Sequence, residues 1–400
     1  MRIAIFTEAY LPYISGIVTN LEDLTEQLEL LGHNVLIVTS DPKARDFHMQ
    51  GNVLRCPAKP AKNQFGFCIA NPSSSGFSAR LEKFRPDALH IHTASPIGIA
   101  ATRFAAKYDL PMVFTIHDYF ENQLHYLASS RLMEPAARIA GRGRFKECAD
   151  NADIITCASK KAETYLKACK IKRNLTVVPN SIDHHRFDYA RVPLTKIAQL
   201  KRNLNLSPEK SIALFAGSLV LEKGVDKLLE QWASQIKARD NIQLLIIGDG
   251  PEAHPLAVWA KELGIARQVS FLGAVPHSKM LEYYAIGDFY VTASQNDLMS
   301  MSVLEAICCG LPVLAPSDPL NPDQIKEGVN GFAYKTTREF GNYVKKFASL
   351  DTDGKRILKK VVRRSILDIH ADDQAKKMTE IYEQAVKIHF LEPQESRNAR

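Results

Sequence analysis

Residues 294–313 read SQNDLMSMSVLEAICCGLPV, a polar loop carrying Asp297 that leads into a helical stretch holding Glu305. Ser300 and Ser302 are residue types that cap a helix start. Unpaired N–H groups there, at the positive end of the helix dipole, suit a diphosphate. One turn further on, the Glu305 carboxylate could accept the paired hydroxyls of a ribose. Cys308, Cys309 and Gly310 are small, so this helix can pack close to a strand. On this segment alone, an acidic residue at a solvated helix start is an equally good description. Asp297 and Glu305 do not read as a hydrolase pair. Their spacing fixes no through-space gap, and one of them is expected to bind donor rather than do acid chemistry.

A second constellation is FAGSLVLEKGVDK at 215–227. A glycine loop after a strand lets backbone approach a phosphate closely, and Lys223 would supply charge. Lysines are usually solvated, so alone this loop proves little. GDGP at 248–251 is another glycine loop after a strand. It lacks the third glycine of a dinucleotide fingerprint, and no acid-ended strand follows at the right distance, which argues against a nicotinamide site. In the first half, EAYLPYISGIVTN (8–20) runs from a strand into a helix, and Gly16 and Ile17 at the turn could bring amides near a ligand. His117 ends the strand in FTIHDYFENQLHY, with Asp118, Glu121 and His125 crowding the same loop. A structural and a functional His117 are equally open. His90 and His92 in HIHT end another strand; no third ligand is spaced to join them, so packing is expected rather than a metal.

The elements that must position these residues are short apolar runs alternating with amphipathic stretches. RIAIF (2–6), NVLIVTS (34–40), DALHIHT (87–93), PMVFTIH (111–117), ADIITCAS (152–159) and LTVVPN (175–180) read as strands, with a helix at 18–31. Continuous rather than alternating apolar strands imply a parallel sheet covered on both faces. Ligands bind outside the carboxyl ends of such strands. A polar linker is expected at about 181–210. The pattern then restarts with SIALFAG (211–217), IQLLIIG (242–248), VSFLG (269–273), FYVTAS (289–294) and PVLAPS (312–317). The fold class is α/β, with two doubly wound halves. A last helix at 371–389 is long enough to return across the first, and the polar tail after it is expected to fray.

Composition agrees. Four hundred residues, 46% apolar and 24% charged, suit two or three globular domains and exclude a disordered chain or a disulfide miniprotein. No apolar run is long enough to span a bilayer, and MRIAIFTEAY turns acidic too soon for a secretion signal. Seven Cys without a CxxC pair fit reduced thiols in a cytosol. The formal charge of +7 permits anionic partners. Basic residues cluster at 131–146 (Arg131, Arg138, Arg142, Arg144, Lys146) among Leu132, Met133, Ile139 and Phe145, and again at Lys160, Lys161, Lys167, Lys170, Lys172 and Arg173. Such a stretch can lie on an anionic membrane, or it can be a solvated helix face. Nucleic acid is disfavoured, since no aromatic stacking pattern accompanies the charge.

Taken together, the EAYLPYISGIVTN opening, LGHNV, DALHIHT, VVPNSID, the LEKG loop, IIGDGP, VSFLG, the acid-x7-acid segment and VNGF at 329–332 resemble the retaining GT-B glycosyltransferases of family 4 over nearly the full length. The opening and HDYFENQLHYLA look most like the bacterial enzymes that glucosylate diacylglycerol. The resemblance implies two Rossmann-like domains facing across a cleft: residues 1–190 (with the C-terminal helix, about 371–390) for the acceptor and 205–370 for the nucleotide sugar. It implies that Glu305 binds the nucleotide ribose, Asp297 the donor-sugar hydroxyls and Lys223 the diphosphate. Backbone amides of Met299, Ser300, Met301 and Ser302 would meet sugar and phosphate. His117 would sit near the donor sugar at the reaction centre, Gly16 under the diphosphate, and Val275 would hold the base through its backbone. Two positions depart from the family. A glutamate is usual where this chain has Asp297, and an arginine where it has Ser218, which removes a bidentate phosphate clamp. Ser181 replaces the glycine of a PNG turn.

The reaction this implies moves a hexose, glucose first, from a UDP-sugar to a lipid, diacylglycerol first, with the leaving phosphate taking the acceptor's proton. No metal or other cofactor is required: Lys223 and the helix start at 300–302 stabilise the developing phosphate charge. The expected location is cytoplasmic, at the inner membrane face. Alternatives are a surface glycan or another lipid-linked acceptor, or a degenerate non-catalytic subunit, which Asp297 and Ser218 favour slightly and the retained Lys223, Glu305 and His117 argue against.

Overall fold

The computed structural model describes residues 1–13, 15–60, 68–72, 75–117, 119, 134–171, 173–320 and 325–391. Residues Met1–Ser181 and Ala371–Arg400 form one compact unit, and Ile182–His370 a second.

The first unit is built on strands β1 (Arg2–Phe6), β2 (Asn34–Asp41), β3 (His48–Gln50), β4 (Val53–Pro60), β5 (Cys68–Ala70), β6 (Ala88–Ile91), β7 (Met112–Ile116), β8 (Ile154–Cys157) and β9 (Asn174–Val177). Their spatial order is β3-β4-β2-β1-β6-β7-β8-β9, with β5 paired to β4. β1 pairs in parallel with both β2 and β6, and Ile3, Ala4, Ile5 and Phe6 are fully buried. That is why its apolar residues run without alternation. β3 and β5 lie antiparallel on β4. Sequence reading gave none of these three: β3 is exposed throughout and only half of β4 is buried. The helix Asp373–Leu391 belongs to this unit, burying Met378, Ile381 and Tyr382 against Leu21, Leu24 and Leu28 of helix Gly16–Leu30.

The second unit holds β10 (Ser211–Ala216), β11 (Ile242–Ile247), β12 (Val269–Gly273), β13 (Phe289–Val291), β14 (Val313–Pro316) and β15 (Gly331–Tyr334). All pairings are parallel, in the order β12-β11-β10-β13-β14-β15. Both sheets therefore wind outward in two directions from their first strand, and each reverses beside it, between β1 and β6 and between β10 and β13. Ligands bind outside the carboxyl strand ends at that reversal.

The expected boundary needs correction. The first unit stops at Ser181, not 190, and the stretch read as a linker is not one. Ile182 and Phe187 are buried in the second unit's core, and residues Leu194–Asn203 form a helix whose Ile197 and Leu200 pack on it. A polar run with one apolar residue per turn looks like linker in sequence, yet it suffices to dock one helical face.

Candidate active site

In the second unit, the expected donor-site residues sit on the segments following β10, β12 and β13, with Met301, Ser302 and Glu305 on the helix Met301–Cys308 that follows the β13 loop. The β10 loop is held by its neighbour. Gly217 N–H donates to Ile247 O at 3.0 Å, and Leu219 N–H to Asp249 O at 3.0 Å. Gly248 has φ +141°, and a Cβ there would lie 1.8 Å from Gly217 O. The GDGP glycines thus let two loops touch backbone to backbone. Ser218 is half-buried at the centre of this contact. Gly224 (φ +61°) begins helix Val225–Gln235 and abuts the Ala293 carbonyl, which brings the Lys223 loop against the Asp297 loop. Asn296 Nδ2 and Ser294 Oγ donate to Glu222 O, each at 3.4 Å. Lys223 Nζ donates to Asp297 Oδ1 at 2.5 Å, both half-buried. The two groups of opposite charge expected to grip phosphate and sugar are thus adjacent.

Helix Met301–Cys308 starts at Ser300, but neither serine side chain caps it, contrary to expectation. Ser300 Oγ lies 3.1 Å from Ser302 Oγ, and Ser302 Oγ 2.9 Å from Tyr290 Oη. Tyr290 Oη is also 2.9 Å from the Ala216 carbonyl, which can only accept. The phenol hydrogen goes to that carbonyl, and Ser302 donates to the phenol. Burial pushes the Tyr290 pKa up. The serine hydroxyls are thereby engaged with each other and with the phenol instead of capping the helix. Met301 is buried and Met299 packs on the core, so at 299–302 the chain offers backbone, not methionine side chains.

Glu305 is 5% exposed and is the best-anchored acid of the unit. Tyr284 Oη donates to its Oε2 at 2.8 Å, and His277 Nε2 to its Oε1 at 2.9 Å. Arg186 Nη2 lies 2.9 Å from His277 Nδ1. A guanidinium only donates, so Nδ1 accepts and the imidazole proton is on Nε2. Burial, then the Glu305 charge, push the Tyr284 pKa well up, which keeps it a donor. Each Glu305 oxygen keeps a second lone pair, enough for two hydroxyls. Val275 precedes this group, half-buried between Gly273 and His277.

In the first unit, Gly16 is the exposed first residue of helix Gly16–Leu30 rather than a turn residue. Ser15 Oγ caps that helix, accepting from Val18 N–H at 3.3 Å. His117 ends β7. His92 Nδ1 lies 2.6 Å from His117 Nε2, and His92 Nε2 lies 3.2 Å from His90 Nδ1. The third histidine absent from the HIHT spacing is therefore supplied by the next strand, although no metal-holding cluster is found among the described residues. Burial pushes His90 down to about 3 and His117 to about 4, and drives His92 well down. The three rings are neutral. The cavity beside them measures about 10 Å³, room for one water at most. Asp118, Glu121 and His125 lie outside the described residues.

Sequence reading missed several members. Glu8, at the end of β1, is buried, accepts from Ala70 N–H, and has no partner for Oε2 among the described residues. Burial pushes it up to about 7. An acid directly after a fully apolar strand was the available signal. Tyr284, Tyr290 and Tyr382 carried none, being aromatics within apolar stretches. In the second basic cluster Lys161 is 4% exposed, lies over the Tyr119 ring and is no part of an exposed face, whereas Lys160, Lys167 and Lys170 are exposed, with Lys167 pairing with Glu163 at 2.7 Å; Lys172 lies outside the described residues. In the first cluster Arg131 lies outside the described residues. Arg138, Ile139, Arg142 and Lys146 form an exposed stripe on helix Glu134–Asn151, while Phe145 turns inward against Phe114.

Two family descriptions match the chain: Glycosyltransferase Family 4 over residues 14–186 and Glycosyl transferases group 1 over residues 196–364. The chain belongs to the GT-B glycosyltransferases of family 4. It is 26% identical to an alpha-monoglucosyldiacylglycerol synthase of Streptococcus pneumoniae, over 96% of this chain and 86% of that protein. It is 28% identical to the enzyme of the same name from Acholeplasma laidlawii, over 85% and 86%. Among solved structures, a sucrose-phosphate synthase from Thermosynechococcus elongatus matches with a TM-score of 0.75 at 20% identity, covering 96% of this chain and 98% of that one. Anabaena HepE in complex with UDP and glucose matches at 0.72 and 16%, covering 96% and 99%. These structural likenesses concern the fold. Among the described residues of this glycosyltransferase, no helix is long and apolar enough to cross a membrane.

Proposed function

We propose that this glycosyltransferase moves a hexose, glucose in the first instance, from a UDP-sugar to diacylglycerol with retention of configuration, at the inner face of a membrane. The observation that carries the reading is full-length similarity to two alpha-monoglucosyldiacylglycerol synthases. In this reading Glu305, pinned by His277 and Tyr284, receives the ribose hydroxyls, and the backbone after Gly273, at Val275, meets the base. Lys223 and the 299–302 amides meet the diphosphate, and Asp297 the sugar. As the anomeric carbon leaves, charge grows on the phosphate. Lys223 and the helix start stabilise that charge, and no metal is required. Asp297 holds the ammonium in place until the diphosphate competes for it. His117 serves at the donor sugar.

The Lys223–Asp297 pair and Glu305, held by one donor on each oxygen, favour an enzyme over a degenerate subunit, because an abandoned site has no reason to keep a buried acid aligned. The stripe Arg138, Ile139, Arg142 and Lys146 suits an anionic surface, where each cation contributes about 1 kcal/mol. Incubating the purified protein with a panel of nucleotide sugars and vesicles containing diacylglycerol tests the reading. Glucosyl-diacylglycerol from UDP-glucose is expected; transfer to a soluble glycan and not to lipid would overturn the acceptor. Arg138, Arg142 and Arg144 exchanged for Glu are expected to weaken vesicle binding and lipid transfer while donor hydrolysis persists. Normal binding of that variant to anionic vesicles in low salt would reduce the stripe to a solvated face.

A further inference from the structure

We infer that a buried phenol on the C-terminal helix fixes, through two intervening imidazoles, which nitrogen of His117 carries its proton: Tyr382, His90 and His92 are positioning residues that hold His117 as the Nε2–H form, with Nδ1 presented as an acceptor. The inference rests on the proposed role of His117 for its functional consequence, but not for its structural content.

Tyr382 is fully buried, and among the described residues its hydroxyl has one hydrogen-bond partner, His90 Nδ1 at 2.8 Å. A buried O–H left without an acceptor costs about 1–3 kcal/mol. The phenol therefore donates, and His90 Nδ1 bears no proton. His90 is neutral, so its proton is on Nε2 and is donated to Thr115 Oγ1 at 2.6 Å; Thr115 in turn contacts Thr156 Oγ1. His92 Nε2 faces the same bare His90 Nδ1 at 3.2 Å. Two lone pairs would repel there, so His92 Nε2 carries the proton and His92 Nδ1 does not. His117 Nε2, 2.6 Å from His92 Nδ1, must then be the donor of that contact. What remains on His117 is the Nδ1 lone pair, which can accept from a substrate hydroxyl.

The threonine end does not choose a direction, because hydroxyls donate or accept equally well. The reverse order, every imidazole protonated on Nδ1, is refused at the tyrosine end alone, where it would strand the phenol hydrogen. Burial keeps all three rings neutral, so the chain moves no net charge. The two strands ending side by side, β6 and β7, and the helix from the far end of the chain are thus coupled by one proton order.

Histidine nitrogen NMR on the full-length protein, with His117 identified by loss of its signals in His117→Gln, reads the tautomer directly. The wild type is expected to show His117 protonated on Nε2 and bare on Nδ1. The opposite pattern would overturn the inference whatever any variant does. Tyr382→Phe keeps the ring and removes the donor, so both orders become open. His117 is expected to shift toward a mixture of the two forms, and kcat to fall about two- to fivefold with donor KM within about twofold. An unshifted His117 spectrum in that variant would overturn the role of Tyr382, since a merely structural phenol moves stability and not the tautomer. If glucosyl transfer is absent from the wild type, the proposed function fails while the spectra still decide the proton order.

Discussion

The two units present the same winding and the same strand-end geometry, yet fill it with opposite chemistry. At the carboxyl ends of β6, β7 and β8 stand three neutral imidazoles, two threonines and a phenol, hydrogen-bonded to one another. Outside β10 and β13 stand ionised groups in matched pairs, Lys223 with Asp297 and Arg186 through His277 with Glu305. Burial without an ionic partner decides the difference; Glu305, which is also buried, keeps two donors. His90 and His92 are closed in by helix Asp373–Leu391, which strips water and drives them neutral, whereas Lys223 and Asp297 stay about a quarter exposed and remain charged. A fold of this class therefore does not dictate what its switch point binds. A charged end suits a phosphate; a neutral, ordered end suits hydroxyls.

The harshest way to test that contrast is to remove the buried acid of the charged end. Glu305→Ala deletes the acceptor for two hydroxyls, each worth about 1.5–3 kcal/mol, so UDP affinity is expected to fall about a hundredfold or more. It also strands Tyr284 Oη and His277 Nε2, which predicts a lower melting temperature. Calorimetry with UDP checks the first point, and retained wild-type affinity would remove Glu305 from the site.

The neutral end is sharpened by pH. His90 and His117 have folded values of about 3 and 4 against an unfolded 6.5, so below pH 6.5 the unfolded chain takes up protons that the folded chain refuses. Their effect is absent above pH 6.5, and stability is lost progressively as pH falls from 6.5 toward 4. Glu8 works the other way. Its folded value of about 7 lies above the unfolded 4.5, so its contribution is present below 4.5 and is lost as pH rises through 7. Between pH 4.5 and 6.5 the two effects oppose each other, and Glu8 blunts the acid decline set by the histidines. In Glu8→Gln the opposing contribution is removed, so the Tm is expected to fall more steeply from pH 6.5 to 4.5 than in the wild type; an unchanged slope would show that Glu8 is ionised in the fold.

The smallest expected effect adds charge to the charged end. Ser218→Arg is expected to tighten UDP about tenfold and uridine hardly at all, because a guanidinium restores a bidentate phosphate partner. Calorimetry with both ligands decides it, and equal changes for the two would show that position 218 does not face the diphosphate.

Most of the fold was legible beforehand because parallel strands buried on both faces, such as RIAIF and IQLLII, read as unbroken apolar runs. The strands that escaped, β3, β4, β5 and β15, are edge or half-buried pieces without such runs. Of the site, the residues at strand ends and helix starts stood out: Lys223, Asp297, Ser300, Glu305 and His117. Their partners did not. Nothing in a helical MLEYYAI announces that Tyr284 will reach Glu305, or in HSK that His277 will stand between Glu305 and Arg186.

What the sequence determined by itself was the alternation of elements, the two windings and the positions where loops leave the strands, all set by local pattern and turn chemistry. Tertiary structure decided which side chains meet across them and in what charge state. His90 and Tyr382 stand 292 residues apart, and Lys223 and Asp297 stand 74 apart. No local pattern encodes such a contact. Its protons and charges are set by how much water the surrounding chain leaves, a property that exists only once the chain is folded.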